Sequence, residues 1–141
     1  MPSSVLAAAI QMTSTVEVEK NLDTAERLIE VAARRRAHLV GLPENFAFLR
    51  SEGEPIPQAQ TLDGPWVRRM VDVARRHELT LLLGSLPERI EGDTRVFNTS
   101  VLLGPDGGTS RPIGRCTCST STSPASSTSR NRGRSGRARP R

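Results

Sequence analysis

The chain has 141 residues, a one-domain length, with 35% apolar residues and a net charge of +5. That average hides a division near Gly108: all 15 acidic residues lie at or before Asp106, and eight of the 20 basic residues follow Gly108. The first part therefore sets 12 basic against 15 acidic residues, net −3, and the tail carries +8. The high isoelectric point belongs to the tail. No aromatic residue follows Phe97 to stack on a base, and no base-reading motif is present, so the charge points to no specific nucleic-acid partner. Residues 1–12 lack the basic flank and long apolar core of a secretory signal, and no apolar run approaches a membrane span. The first part also has no cysteine, and together these features predict a cytoplasmic protein with no membrane partner.

Residues 5–12 form a short apolar run suited to a strand buried on both faces. From 16 to 36 the apolar residues Val18, Leu22, Ala25, Ile29, Ala32 and Ala33 fall at helical spacing. Glu17 and Glu19 at its start and Arg34, Arg35 and Arg36 at its end complement the helix dipole. Residues 38–42 read as a second strand, stopped by Pro43, and the βαβ order implies parallel pairing. Residues 43–62 have no clear period and carry Gly53, Pro55 and Pro57, which predicts a long loop of the kind that tends to be functional. Asp63-Gly64-Pro65 opens a second helix with Val67, Met70, Val71 and Ala74 as its stripe and Arg75, Arg76 and His77 at its end. Residues 80–85 and 95–103 read as two more strands, with turns at Gly92-Asp93 and Pro105-Asp106-Gly107. Four strands and two helices in this order predict an α/β fold.

Glu44 is the candidate functional residue. It lies just past the carboxyl end of a predicted parallel strand, where ligands and reacting groups collect in open α/β sheets. Pro43, Phe46 and Phe48 flank it, which predicts partial desolvation, and burial tunes a carboxyl toward general-base work. From position alone, a solvated loop carboxylate or helix cap is the commoner role for such a residue.

Residues 5–108 resemble the N-terminal part of the carbon–nitrogen hydrolase (nitrilase) superfamily. Ala8-Ala9-Ile10-Gln11-Met12 is similar to its first strand, and Asn21 falls where its first helix carries an Asn. His38-Leu39-Val40-Gly41-Leu42-Pro43-Glu44 resembles the strand that delivers its catalytic Glu. Gly84-Ser85-Leu86-Pro87-Glu88 and Phe97-Asn98-Thr99-Ser100-Val101, then Gly104-Pro105-Asp106-Gly107, resemble its next two strands and turn. Gln11-Met12-Thr13-Ser14-Thr15 and Glu44-Asn45-Phe46-Ala47-Phe48-Leu49 look most like the branch that cleaves deaminated glutathione and ω-amides.

The resemblance implies the N-terminal portion of an αββα sandwich and a cofactor-free, metal-free amidase with a Glu–Lys–Cys triad. In that chemistry a Cys thiolate attacks the carbon of a small linear amide. Glu44 would be the general base, and a Lys stabilises the tetrahedral intermediate. Full-length relatives are homo-oligomers on the same implication. The family's Tyr-Arg-Lys-x-His-Leu segment and its Gly-x-x-x-Cys-Tyr-Asp segment are both absent here, so the Lys and the nucleophile are missing. Cys116 and Cys118 lie in an Arg/Ser/Thr stretch with no nearby His to activate them and too few ligands for a metal site.

The predicted division is residues 1–108 as the hydrolase part and 109–141 as a disordered, basic, low-complexity tail. Twelve of the 21 residues from 109 to 129 are Ser or Thr, too polar for a packed core. Read one nucleotide earlier, codons for residues 113–125 can spell Tyr-Arg-Lys-Met-His-Leu-Phe-Asp-Val-Asp-Ile-Pro-Gly. That is the family's missing segment, with its Lys at position 115. A one-nucleotide frameshift between about 107 and 111 accounts for it, and a chain so altered is expected to be inactive. The alternative function is a small nucleic-acid-binding or scaffold protein that uses the Arg tail.

Overall fold

A computed structural model of the chain describes residues 4–50, 56–93 and 95–118. The elements are β1 (Ala7–Ala9), α1 (Val18–Arg34), β2 (Leu39–Gly41), α2 (Pro65–His77), β3 (Thr80–Arg89), β4 (Val96–Leu103) and β5 (Thr109–Cys118). The strands form one sheet in sequence order, β1-β2-β3-β4-β5. The first three are parallel, each joined to the next through a helix, and β4 and β5 add on antiparallel. This is the α/β architecture expected, because a parallel neighbour needs a crossover long enough to return the chain to its start.

Both helices follow their sequence signals. α1 buries Leu22, Ala25, Ile29 and Ala32, with Glu19 in its first turn and Arg34 in its last. α2 starts with Pro65 in its first turn and closes on Arg75, Arg76 and His77, with Glu78 left-handed (φ 52°) at its C-cap. Their stripes cover one face of the sheet. Ala8, Val40, Leu81 and Leu103 stand in a row across β1, β2, β3 and β4. Val40, Leu81 and Leu103 are fully buried against Ile29 of α1 and Met70 of α2. The pleat turns the next row, Ala9, Gly41, Leu82 and Leu102, to the opposite face, where it is exposed or half-exposed.

α1 and α2 are held side by side by Arg69. Its guanidinium meets Glu19 at 3.0 Å, Asp23 at 2.5 Å and Glu26 at 2.5 Å. Hydrogen bonds that the guanidinium donates to Glu26 and Asp23 push the Arg69 pKa above its ordinary value.

Three expectations change. β1 is three residues long and its burial runs exposed, intermediate, exposed, so it is not the strand buried on both faces that its composition suggested. Among the described residues it is the outermost strand, with β2 as its one neighbour. β3 runs to Arg89 rather than stopping near Ser85, because a register shift between Leu83 and Leu86 lets the ladder with β4 resume. The third change concerns the boundary at Gly108. The turn at 104–108, with Gly107 left-handed at φ 77°, sends the chain back along β4, and β5 pairs from Thr109 to Cys118. Composition argued against a packed core there, but a ladder needs only backbone groups and an unpaired edge to meet. The rest of the predicted tail, 119–141, lies outside the described residues.

Arg69→Ala removes the clamp between the helices. It should lower stability by about 1–2 kcal/mol at low ionic strength and by less in high salt, read from urea midpoints at the two salt concentrations.

Candidate functional site

The β2 strand ends at Gly41, and the next three residues carry the chain along the rim of β3. The Leu42 amide donates to the Leu82 carbonyl at 2.9 Å. Glu44 pairs with Ser85 in an isolated parallel bridge, and the Asn45 amide donates to the Ser85 carbonyl at 3.1 Å. Glu44 therefore sits where the sequence put it, at the carboxyl end of a parallel strand.

Gly84 makes this approach possible. A β-carbon there would stand 2.1 Å from the Pro43 carbonyl oxygen and 2.4 Å from that of Leu42. Both atoms are backbone, so no side-chain adjustment relieves the clash. Asn45 then turns the chain in the left-handed region (φ 54°), a conformation Asn tolerates better than most residues.

A second brace comes from α1. Asn21, 2% exposed, donates from Nδ2 to the Thr15 carbonyl at 2.7 Å and to the Ala47 carbonyl at 3.0 Å. Its Oδ1 accepts from the Thr15 amide at 3.0 Å. Ser14 adds a hydroxyl bond to the Phe46 carbonyl at 3.1 Å, and the Leu49 amide donates to the Thr15 carbonyl at 3.1 Å. The segment after Glu44 is thus tied to the loop after β1 and to the first helix. Sequence reading marked Asn21 by resemblance only; its work is to satisfy backbone groups of two loops at once.

The carboxylate itself is exposed, contrary to the desolvation expected from its aromatic neighbours. Phe46 and Phe48 turn into the core, 0% and 7% exposed, rather than over the acid. Asn98 of β4 reaches it, donating from Nδ2 to Glu44 Oε1 at 2.9 Å. A cavity of about 110 Å³ opens beside the pair, lined in part by Phe48, Arg50, Pro87 and Phe97. Such an arrangement presents one fixed carboxylate at the mouth of a small, partly apolar pocket. Further along the same two strands, Glu88 is buried (9% exposed) and accepts from the Thr99 hydroxyl at 2.6 Å. Among the described residues no three His, Cys, Asp or Glu side chains come together as a metal site.

Sequence reading missed the roles of Gly84, Ser85 and Asn98. All three fall in motifs quoted above, but strands distant in sequence bring them to Glu44, and only the register says which residue meets the acid.

Residues 6–118 match the Carbon-nitrogen hydrolase family model. The chain belongs to the carbon–nitrogen hydrolase family. It is 43% identical over 103 residues to a deaminated glutathione amidase of Synechocystis sp., a match covering 72% of this chain and 38% of that protein. The human deaminated glutathione amidase is 35% identical over 106 residues, covering 72% of this chain and 32% of the relative. The crystal structure of the Caenorhabditis elegans NitFhit protein superposes with a TM-score of 0.70 at 32% identity, covering 77% of this chain and 27% of that one. The chain thus spans little more than a third of the amidase from Synechocystis. The match to the carbon–nitrogen hydrolase model runs through β5, ten residues past the predicted boundary.

Gly84→Ala should force the Pro43–Glu44 segment off β3. The expected loss is about 1–3 kcal/mol by urea unfolding, with chemical-shift changes centred on residues 42–45 and 85 in amide NMR spectra.

Proposed function

We propose that this chain carries the general-base arm of an amidase that hydrolyses a small linear amide, with Glu44 as the base. The observation that carries this reading is the placement of Glu44. It sits past the end of a parallel strand, with its backbone bridged to Ser85 and its carboxylate held by Asn98 beside a cavity. The 43%-identical relative named as a deaminated glutathione amidase favours a substrate with an amide at one end of a short acid chain.

In that reaction Glu44 takes the proton of a cysteine thiol as sulfur attacks the amide carbon. The proton then passes to the departing nitrogen, and ammonia or an amine departs to leave a thioester. Glu44 next draws a proton from water, the resulting hydroxide attacks the thioester, and the thiol and carboxylate are regenerated. A cation near the carbonyl oxygen stabilises both tetrahedral intermediates. These 141 residues hold the base. Their two cysteines, Cys116 and Cys118, lie on the β5 ladder opposite Asn98 and Val96, and the single lysine is Lys20 in α1. Neither the family's lysine segment nor its nucleophile segment lies within these 141 residues, so on this proposal they do not turn over by themselves.

The frameshift reading belongs to the same proposal. The restored frame would place the family's lysine segment from position 113 onward, on the strand that the present residues also build as β5. Position 115 stands opposite Thr99, one residue along β4 from Asn98, which holds Glu44. The cytoplasm is the proposed compartment, and among the described residues no helix is long and apolar enough to cross a membrane.

Two measurements test this. The purified chain should release neither ammonia from short ω-amides nor cysteinylglycine from deaminated glutathione beyond a Glu44→Gln control; release above that control would overturn the inactivity. The coding sequence should spell the Tyr-Arg-Lys-Met-His-Leu string one base back. An enzyme expressed in that corrected frame should lose about 10²–10⁴ in kcat on Glu44→Gln, and full activity in that variant would overturn the role of Glu44.

A further inference from the structure

We propose that Asn98 is the positioning residue of the site: its amide holds one oxygen of Glu44 and thereby decides which oxygen exchanges protons. The proposal rests on the reading of Glu44 as the base and deepens it.

The geometry begins with three anchors of unequal kind. Ser85 fixes the Glu44 backbone through the bridge to β3, and its carbonyl takes the Asn45 amide. Asn21 fixes the segment downstream through the Ala47 carbonyl. Neither touches the carboxylate. The Glu44 side chain leaves this rigid backbone exposed, with three rotatable bonds of its own. Phe46, next but one in sequence, lies in the core and does not cover it. Left so, the carboxylate would sample several rotamers and present either oxygen to the cavity. The 2.9 Å bond from Asn98 Nδ2 to Oε1 removes that freedom. Among the described residues no other side chain donates to Glu44, so Oε2 is the oxygen left to take up a proton.

Asn suits this task for chemical reasons. Its amide nitrogen donates at every pH at which the protein is folded, and it neither gives up nor accepts a proton in the carboxylate range. A Lys or Arg in its place would add a charge to the base, and an Asp would compete for the same proton. Asn98 is also well supported. It sits in the middle of β4, opposite Pro87 of β3 and Cys116 of β5, with a strand paired on each side. The donor is therefore built on the sheet, and the base is carried on the strand-end segment that must be steered.

The test uses the full chain and needs no turnover. In Glu44→Gln, which keeps an acceptor oxygen but carries no charge, the side-chain amide signals of Asn98 should move from their wild-type positions. In Asn98→Ala, the Glu44 side-chain couplings should change from those of one rotamer to an average over several. Asn98 amide signals unmoved by Glu44→Gln would overturn the proposal. So would unchanged Glu44 couplings in Asn98→Ala, even if that variant lost stability, because Asn98 would then be only a sheet residue. Failure of the base reading looks different: the Asn98 signal change and the single rotamer would persist, while Glu44→Gln of the frame-corrected enzyme kept its full turnover.

Discussion

The carbonyl oxygens of Leu42 and Pro43 lie where a β-carbon on residue 84 would stand 2.1–2.4 Å from them. That contact between the end of one strand and the middle of the next sets the position of everything downstream. With glycine at 84, the segment after β2 can hug the rim of β3, bridge to Ser85 and deliver Glu44 within reach of β4. With any side chain there, the segment must lift away, and the bridge and the bond to Asn98 go with it. The close approach is a backbone event, so no choice of rotamer elsewhere can stand in for it.

Around that contact the fold divides its labour. The parallel β1-α1-β2-α2-β3 portion supplies a core in which Val40, Leu81 and Leu83 are sealed beneath the two helices. The buried amide of Asn21 links the first helix to the loops that follow β1 and Glu44, so helix packing and site geometry are one network. The antiparallel strands contribute the side chain that meets the acid. The opposite face of the sheet, with Leu82 and Leu102 half-exposed, carries no helix from this chain among the described residues.

Glu44 differs from the enclosed carboxylate that its neighbours suggested. A carboxylate flanked by two phenylalanines in sequence need not be surrounded by them in space. Asn45, left-handed at φ 54°, turns the chain after Glu44, and Phe46 and Phe48 drop into the core while the acid stays out. Control of Glu44 therefore comes from a directed hydrogen bond rather than from desolvation, and a directed bond distinguishes one oxygen from the other, which burial does not.

The sequence alone determined the class of fold, the two helices nearly to their ends and the place of Glu44 after its strand. Those features rest on local signals: apolar spacing in Leu22, Ala25 and Ile29, Pro65 at a helix start, Pro43 as a strand stop. Motif order was also legible, and it led to the family. Tertiary structure decided the rest. The exposure of β1, the run of β3 to Arg89 and the pairing of β5 depend on which neighbour each strand finds, and a ladder of backbone bonds leaves little trace in side-chain composition. Gly84, Ser85 and Asn98 belong to this second group. Their meaning comes from register between strands up to 54 residues apart, and spacing along one chain does not encode a contact across a sheet.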